Sequence, residues 1–185
     1  MPYLLFLIFI TLNLSQSEFR FVKTKISENI TISLPESFWP MSEQDIASRH
    51  ISQRKPLAIF TNQDRTIDFS VNTAISQWPP SDLPLMKGFY KASIGSFFSD
   101  VEFLSDEIKN IDDREFAVLE FISVTDAEGG ATNQGALRNY TLAHYAIING
   151  RTYVFTFTCS ARLKEKWQPA AWQVMESIKI KKARK

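Results

Sequence analysis

Cysteine is nearly absent from this chain: Cys159 is the only one in 185 residues. A lone cysteine cannot close an intramolecular disulfide, so core packing has to hold the domain by itself. Histidine is almost as scarce, with only His50 and His144. A protein zinc site needs three or four Cys, His or carboxylate ligands in suitable geometry, and these residues do not supply that spacing. A calcium loop needs several oxygen ligands at fixed spacing around a glycine, whereas residues 125–130 offer only Asp126 and Glu128. The chain has no G-x-S-x-G elbow and no phosphate-binding glycine loop. No metal and no cofactor is therefore expected.

Charge of one sign is also lacking. The formal net charge is +1, and Lys179, Lys181, Lys182, Arg184 and Lys185 gather at the C-terminus, leaving the body of the chain slightly acidic. That balance excludes the basic face that nucleic-acid binding requires. The terminal run reads as a solvated tail, or as a weak contact to an acidic partner or anionic lipid.

The first seventeen residues contain no charge at all, and Leu4 to Ile10 form an unbroken apolar run. This run is too short to cross a bilayer, which takes about 20 apolar residues, but it suits a signal-peptide core. Ser15-Gln16-Ser17 supplies small residues for cleavage before Glu18. The Lys or Arg expected ahead of the run is missing. The alternative is a buried N-terminal strand or helix. We expect a leader over 1–17, one domain over 18–180 and a basic tail over 181–185. Position 18 is not cysteine, so the expected product is exported, periplasmic or secreted, soluble and not a lipoprotein, with no stable membrane anchor once the leader is cleaved.

What is present is mainly aromatic and strand-forming. Fifteen Phe and four Trp can fill a core. Ile30, Ile32 and Leu34 alternate with Thr31 and Ser33, predicting a strand that Pro35 stops. Phe38-Trp39-Pro40 reads as an apolar loop, and Ser42 with Asp45 as a capping box for a short helix to about Arg49. His50 then falls near a helix C-terminus, where its cationic form favours the dipole. Strands are expected at 57–61 and 66–72, joined by Asn62-Gln63-Asp64-Arg65. Ser81 or Asp82 should cap a helix in which Met86, Phe89, Tyr90, Ile94 and Phe97 form one core-facing stripe.

A hairpin follows over 101–108 and 115–124, with Asp112-Asp113 in its turn. Its second strand is apolar on both faces, as expected of a covered strand. Asn149-Gly150 predicts a type I′ turn that sets Ile148 opposite Arg151, His144 opposite Phe155 and Tyr140 opposite Cys159. A last helix carries Leu163, Trp167, Ala171, Val174 and Ile178 at helical intervals, kinked or divided at Pro169.

Three places invite function. His144 faces Phe155 in an expected interior, and Glu120 lies on a similarly covered strand where a buried carboxylate needs a partner. The two are expected to approach one another or line a small cleft. The segment 125–136 holds half of the glycines and few apolar side chains, which makes Asp126, Glu128, Gly129 and Gly130 a candidate binding loop. Cys159 sits at a strand end near the start of the last helix and reads as an inert core thiol, with reactivity as the alternative.

Ile32-Ser33-Leu34-Pro35 with Phe38-Trp39, the Asn-Gly hairpin with Tyr153-Val154-Phe155-Thr156-Phe157, and the closing Trp167, Pro169, Trp172, Ile178 helix form a recognisable order. It resembles the family of small sandwiches that includes PsbP, an accessory subunit of the oxygen-evolving complex, the Ran-binding Mog proteins and bacterial exported proteins of unassigned function. The resemblance covers residues 27 to 180. It implies an α+β fold, an α/β/α sandwich with a mainly antiparallel central sheet of about six to seven strands and helices on both faces. It also implies a binding or accessory role with no enzymatic activity, and it transfers no functional residue. The expected function is an exported, non-enzymatic binding protein whose partner is a protein of the cell envelope or exterior. A carrier of a hydrophobic ligand or lipid is the alternative, and a hydrolase using His144 comes third.

Overall fold

The computed structural model describes residues 19–49, 55–126 and 136–181. The expected leader, His50, Glu128, Gly129 and Gly130 lie outside the described residues.

The chain folds around hairpins whose turns are written in the sequence. Strands β8 (Leu137–Ile148) and β9 (Arg151–Ser160) meet at Asn149 and Gly150, with φ of 51° and 70°. Both central residues of a type I′ turn need positive φ, which Asn and Gly adopt at little cost. The resulting register pairs His144 with Phe155 and Tyr140 with Cys159, as the two-residue loop dictates. Strands β6 (Asp100–Ile111) and β7 (Arg114–Thr125) turn in the same way through Asp112 and Asp113, at φ 51° and 60°. Two carboxylates in such a turn are there for backbone conformation, not for catalysis.

Strands β4 (Ala58–Asn62) and β5 (Ile67–Ile75) are joined by a turn that Asn62 organises. Its Oδ1 accepts the backbone N–H groups of Thr66 and Ile67 at 2.9 and 3.1 Å. Phe38–Pro40 is not a loop but strand β3, paired with β4. Its edge position explains why a proline is tolerated there. These strands make one antiparallel sheet in the order β3-β4-β5-β9-β8-β7-β6. A bulge between Phe103 and Ser105 shifts the β6–β7 register by one residue on the exposed edge, where bulges discourage further pairing.

A second, three-stranded sheet contains β1 (Phe21–Lys25), β2 (Ile30–Pro35) and β10 (Lys179–Ile180), with β2 in the middle. The residues after the last helix therefore return as a strand. Two residues are too few to show a strand period.

Helix α1 (Glu43–Arg49) is capped by Ser42, whose Oγ accepts the Asp45 N–H at 3.1 Å. Helix α2 (Leu83–Phe97) follows a 3-10 turn at Pro80–Asp82. The expected Ser81 or Asp82 side-chain cap is not made; the Ser81 hydroxyl bonds the Asp82 carboxylate instead. Pro84, which has no N–H to satisfy, lowers the need for a cap. Helix α3 (Lys164–Glu176) runs through Pro169 without dividing, and a 3-10 turn at Ala161–Leu163 leads into it.

Each face of the large sheet has its own core. On one face Phe116, Val118, Tyr140, Leu142, Phe155 and Phe157 pack with Trp167, Ala171, Val174 and Met175 of α3 and with Ile30, Ile32 and Leu34 of β2. On the other, Ala117, Leu119, Phe121, Ala143 and Tyr145 meet Leu83 and Met86 of α2. The architecture is an α+β sandwich, a seven-stranded antiparallel sheet with a helix on either face.

Candidate functional site

The alternation of β7 turns Glu120 toward α3, into the larger core, where it is 4% exposed. Its Oε1 accepts three hydrogen bonds: from Tyr140 Oη at 2.7 Å, Gln168 Nε2 at 2.7 Å and Trp172 Nε1 at 3.2 Å. Gln168 and Trp172 are four residues apart on α3 and so share a face. Tyr140 comes from β8, diagonal to Glu120 in the ladder. One buried carboxylate thus ties a helix to two strands, with donors that make its burial tolerable. Burial, reinforced by its bond to Glu120, holds the Tyr140 phenol well above its ordinary range.

His144 is the other diagonal neighbour on the same face, since Glu120 pairs with Leu142 and His144 with Val118. It is fully buried, and neither ring nitrogen has a hydrogen-bond partner. Its ring lies 6.0 Å from Phe116 and meets Trp172 edge-on at 5.8 Å. Burial, with the Lys109 charge adding to it, lowers its pKa to about 3. Lys109 Nζ stands 4.6 Å over the Trp172 ring and 2.5 Å from Glu176. Glu120 and His144 therefore share Trp172 without bonding to one another. A neutral imidazole sealed from water cannot exchange a proton with a dissolved substrate.

Cys159 is buried, and burial pushes its thiol up to about 12. Such a thiol is not a nucleophile at neutral pH. Asp126 is exposed, and its backbone N–H bonds Ser99 Oγ at 3.2 Å. Among the described residues no group of three or more His, Cys, Asp and Glu could hold a metal ion. No helix among them is long and apolar enough to cross a membrane.

The surface holds what the sequence reading missed. The expected core-facing stripe of α2 is only partly so: Met86 is buried and Tyr90 and Ile94 pack inward, but Phe89 and Phe97 are 54% and 83% exposed. Phe97 occupies the last position of the helix, where the chain leaves the sheet face. Leu137, 63% exposed, opens β8 and pairs with Thr125, while Asp100 at the start of β6 pairs with Val124. Phe97, Asp126 and Leu137 are thereby brought to one end of the sandwich. A cleft of about 710 Å³ lies elsewhere, lined by Lys55, Leu57, Ile75, Gln77 and Arg151. It is open, and its two cations, Lys55 and Arg151, stand beside the apolar Pro56, Leu57, Ala74 and Ile75.

No protein-family model and no curated protein matches the sequence. Solved structures do match the fold. The cyanobacterial PsbP (CyanoP) of Synechocystis sp. PCC 6803 aligns over 91% of this chain and 96% of its own, at 13% identity and a TM-score of 0.54. The chain shares the PsbP-like fold. The Ran-binding protein Mog1p of Saccharomyces cerevisiae aligns over 88% of this chain and 96% of its own, at 10% identity and a TM-score of 0.55. LpqN of Mycobacterium tuberculosis, described as involved in cell envelope biogenesis, covers 89% of this chain and 92% of its own, at 11% identity and a TM-score of 0.55. At these identities the likeness to PsbP-like and Mog1p-like sandwiches is one of fold.

Proposed function

We propose that this chain is a non-enzymatic, exported binding or accessory protein that recognises a protein partner of the cell envelope or exterior. The reading is carried by the contrast between the two candidate sites. The titratable cluster at Glu120 and His144 is sealed beneath α3, whereas Phe97 and Leu137 stand 83% and 63% exposed at the end where the segment around Asp126 leaves the sheet. Exposed aromatic and aliphatic side chains beside a connecting segment are the usual material of a recognition surface. The fold relatives lend support: one is named for binding Ran and another for a part in envelope biogenesis.

Affinity capture from the native envelope fraction tests the reading. The wild-type protein should retain one stoichiometric protein partner, and a Phe97→Glu, Leu137→Glu variant of unchanged melting temperature should lose it. Recovery of lipid alone would favour the carrier. Equal retention by both proteins would remove this surface from the account.

A further inference from the structure

The long outward face of α2 is a different surface from the one just described. It consists of Pro84, Leu85, Gly88, Phe89, Ala92, Ser93, Gly95 and Ser96, all exposed and none charged. The two lysines of the helix lie off this face, where Lys87 and Lys91 both pair with Asp106 of β6. The serines add no free donors: Ser93 Oγ donates to the Phe89 carbonyl at 2.8 Å and Ser96 Oγ to the Ala92 carbonyl at 3.0 Å. A helix face of four turns without charge, in a chain that is 22% charged, is not an ordinary solvated surface.

We infer that α2 pairs with α2 of a second copy of this chain, antiparallel about a two-fold axis. The order of side-chain sizes makes the face complementary to a copy of itself run antiparallel. Leu85, Phe89, Ala92 and Ser96 follow one another along the centre of the face. A two-fold midway between residues 89 and 92 sets each Phe89 on Ala92 of the copy and each Leu85 on Ser96 of the copy. Every large side chain then meets a small one, the interdigitation that close helix packing needs. A parallel pairing would set Phe89 against Phe89 and leave Ala92 facing Ala92. The contact is isologous, so the pairing closes at two copies.

The area limits its strength. Leu85 and Phe89 keep 62% and 54% of their surface exposed. Together they present on the order of 200 Å² of apolar area, and the whole strip about twice that. With Trp78, whose ring lies 5.9 Å from that of Phe89, two copies bury roughly 1,000 Å², the lower limit for a specific interface. An interface of that size is of the weak, reversible class.

Sedimentation equilibrium of the protein as it accumulates in the cell, over a concentration series spanning the micromolar range, should show a monomer–dimer equilibrium. Ala92→Leu adds a good helix former at an exposed position but fills the seat of Phe89, so dissociation should become at least tenfold easier. Mixing Leu85→Cys and Ser96→Cys proteins under mild oxidation should give the mixed cross-link in preference to either self-cross-link, with the buried Cys159 taking no part. A protein that stays monomeric throughout the series, an Ala92→Leu variant that associates as tightly or more tightly, or a preference for self-cross-links would overturn the inference. None of these outcomes bears on the partner surface at Phe97 and Leu137.

Discussion

Replacing His144 by leucine removes an imidazole that the fold accommodates only in its neutral form. Both ring nitrogens are without partners, so the substitution breaks no hydrogen bond, and leucine is close in volume. At pH 7.5 the cost should stay below about 1.5 kcal/mol. Acid separates the two proteins. Burial, with Lys109 adding to it, holds the folded-state pKa at about 3, against roughly 6.5 in the unfolded chain. The folded pKa is the lower one, so below pH 6.5 the unfolded state binds the proton that the folded state refuses. The neutral ring's contribution is intact above pH 6.5 and is lost progressively as the pH falls toward 3. Each pH unit in that window costs about 1.4 kcal/mol, so the wild type should lose about 3 kcal/mol from this group between pH 6.5 and 4.5. Lys109 of β6, paired with Glu176 of α3, is the charge that acts on the ring, and Glu120 of β7 is the diagonal neighbour of His144 in the sheet. They remain in the variant, so the difference between proteins isolates His144. Urea unfolding of both at pH 7.5 and 4.5 measures it. Parallel pH dependence would refute the reasoning, because it would mean that the buried ring finds a proton or a partner without cost.

Other substitutions probe the remaining parts. Glu120→Ala takes the acceptor from the buried Tyr140 hydroxyl and from the half-buried Gln168 and Trp172 donors and should cost about 2–4 kcal/mol, whereas Glu120→Gln keeps an acceptor and should cost about 1–2 kcal/mol; denaturant melts rank them, and equal losses would argue against the network. Gly150 sits at φ 70°, so Gly150→Ala should cost about 1–2 kcal/mol, while alanine at exposed Gly95, which has open space beside it, should be stabilising by several tenths of a kcal/mol. With a thiol pushed up to about 12, Cys159 should resist a thiol reagent in the native protein and react once the chain is unfolded. Rapid native labelling would show an opening of the β9 end.

Much of the fold was legible because hairpin geometry is local. Asn149-Gly150 fixes both turn type and register, and that register puts Tyr140 and His144 on one face; Glu120 joins them only through the β7–β8 pairing, which no tight turn fixes. Three features were not legible, each because tertiary context decides it. Phe38–Pro40 is a strand only because β4 offers it an edge, and Lys179–Ile180 only because β2 does. Phe89 and Phe97 are apolar and fall within the same helical stripe as Met86, Tyr90 and Ile94, which pack inward. Phe89 is exposed because α2 docks with its other side on the sheet, and Phe97 because it ends the helix; the residue spacing alone records neither. The inward facing of Glu120 and of His144 followed from strand alternation, but their adjacency comes from the β7–β8 register, and their shared contact, Trp172, belongs to a helix whose docking angle the sequence leaves open.

The central claim is that this chain acts through the exposed end at Phe97 and Leu137, not through its buried polar cluster. A photo-crosslinking amino acid placed at position 97, with a control at exposed position 64, tests that most directly in the native host. The account predicts one heterologous protein adduct at 97 and none at 64. Adducts of the same pattern at both positions, or lipid as the sole product at 97, would contradict it.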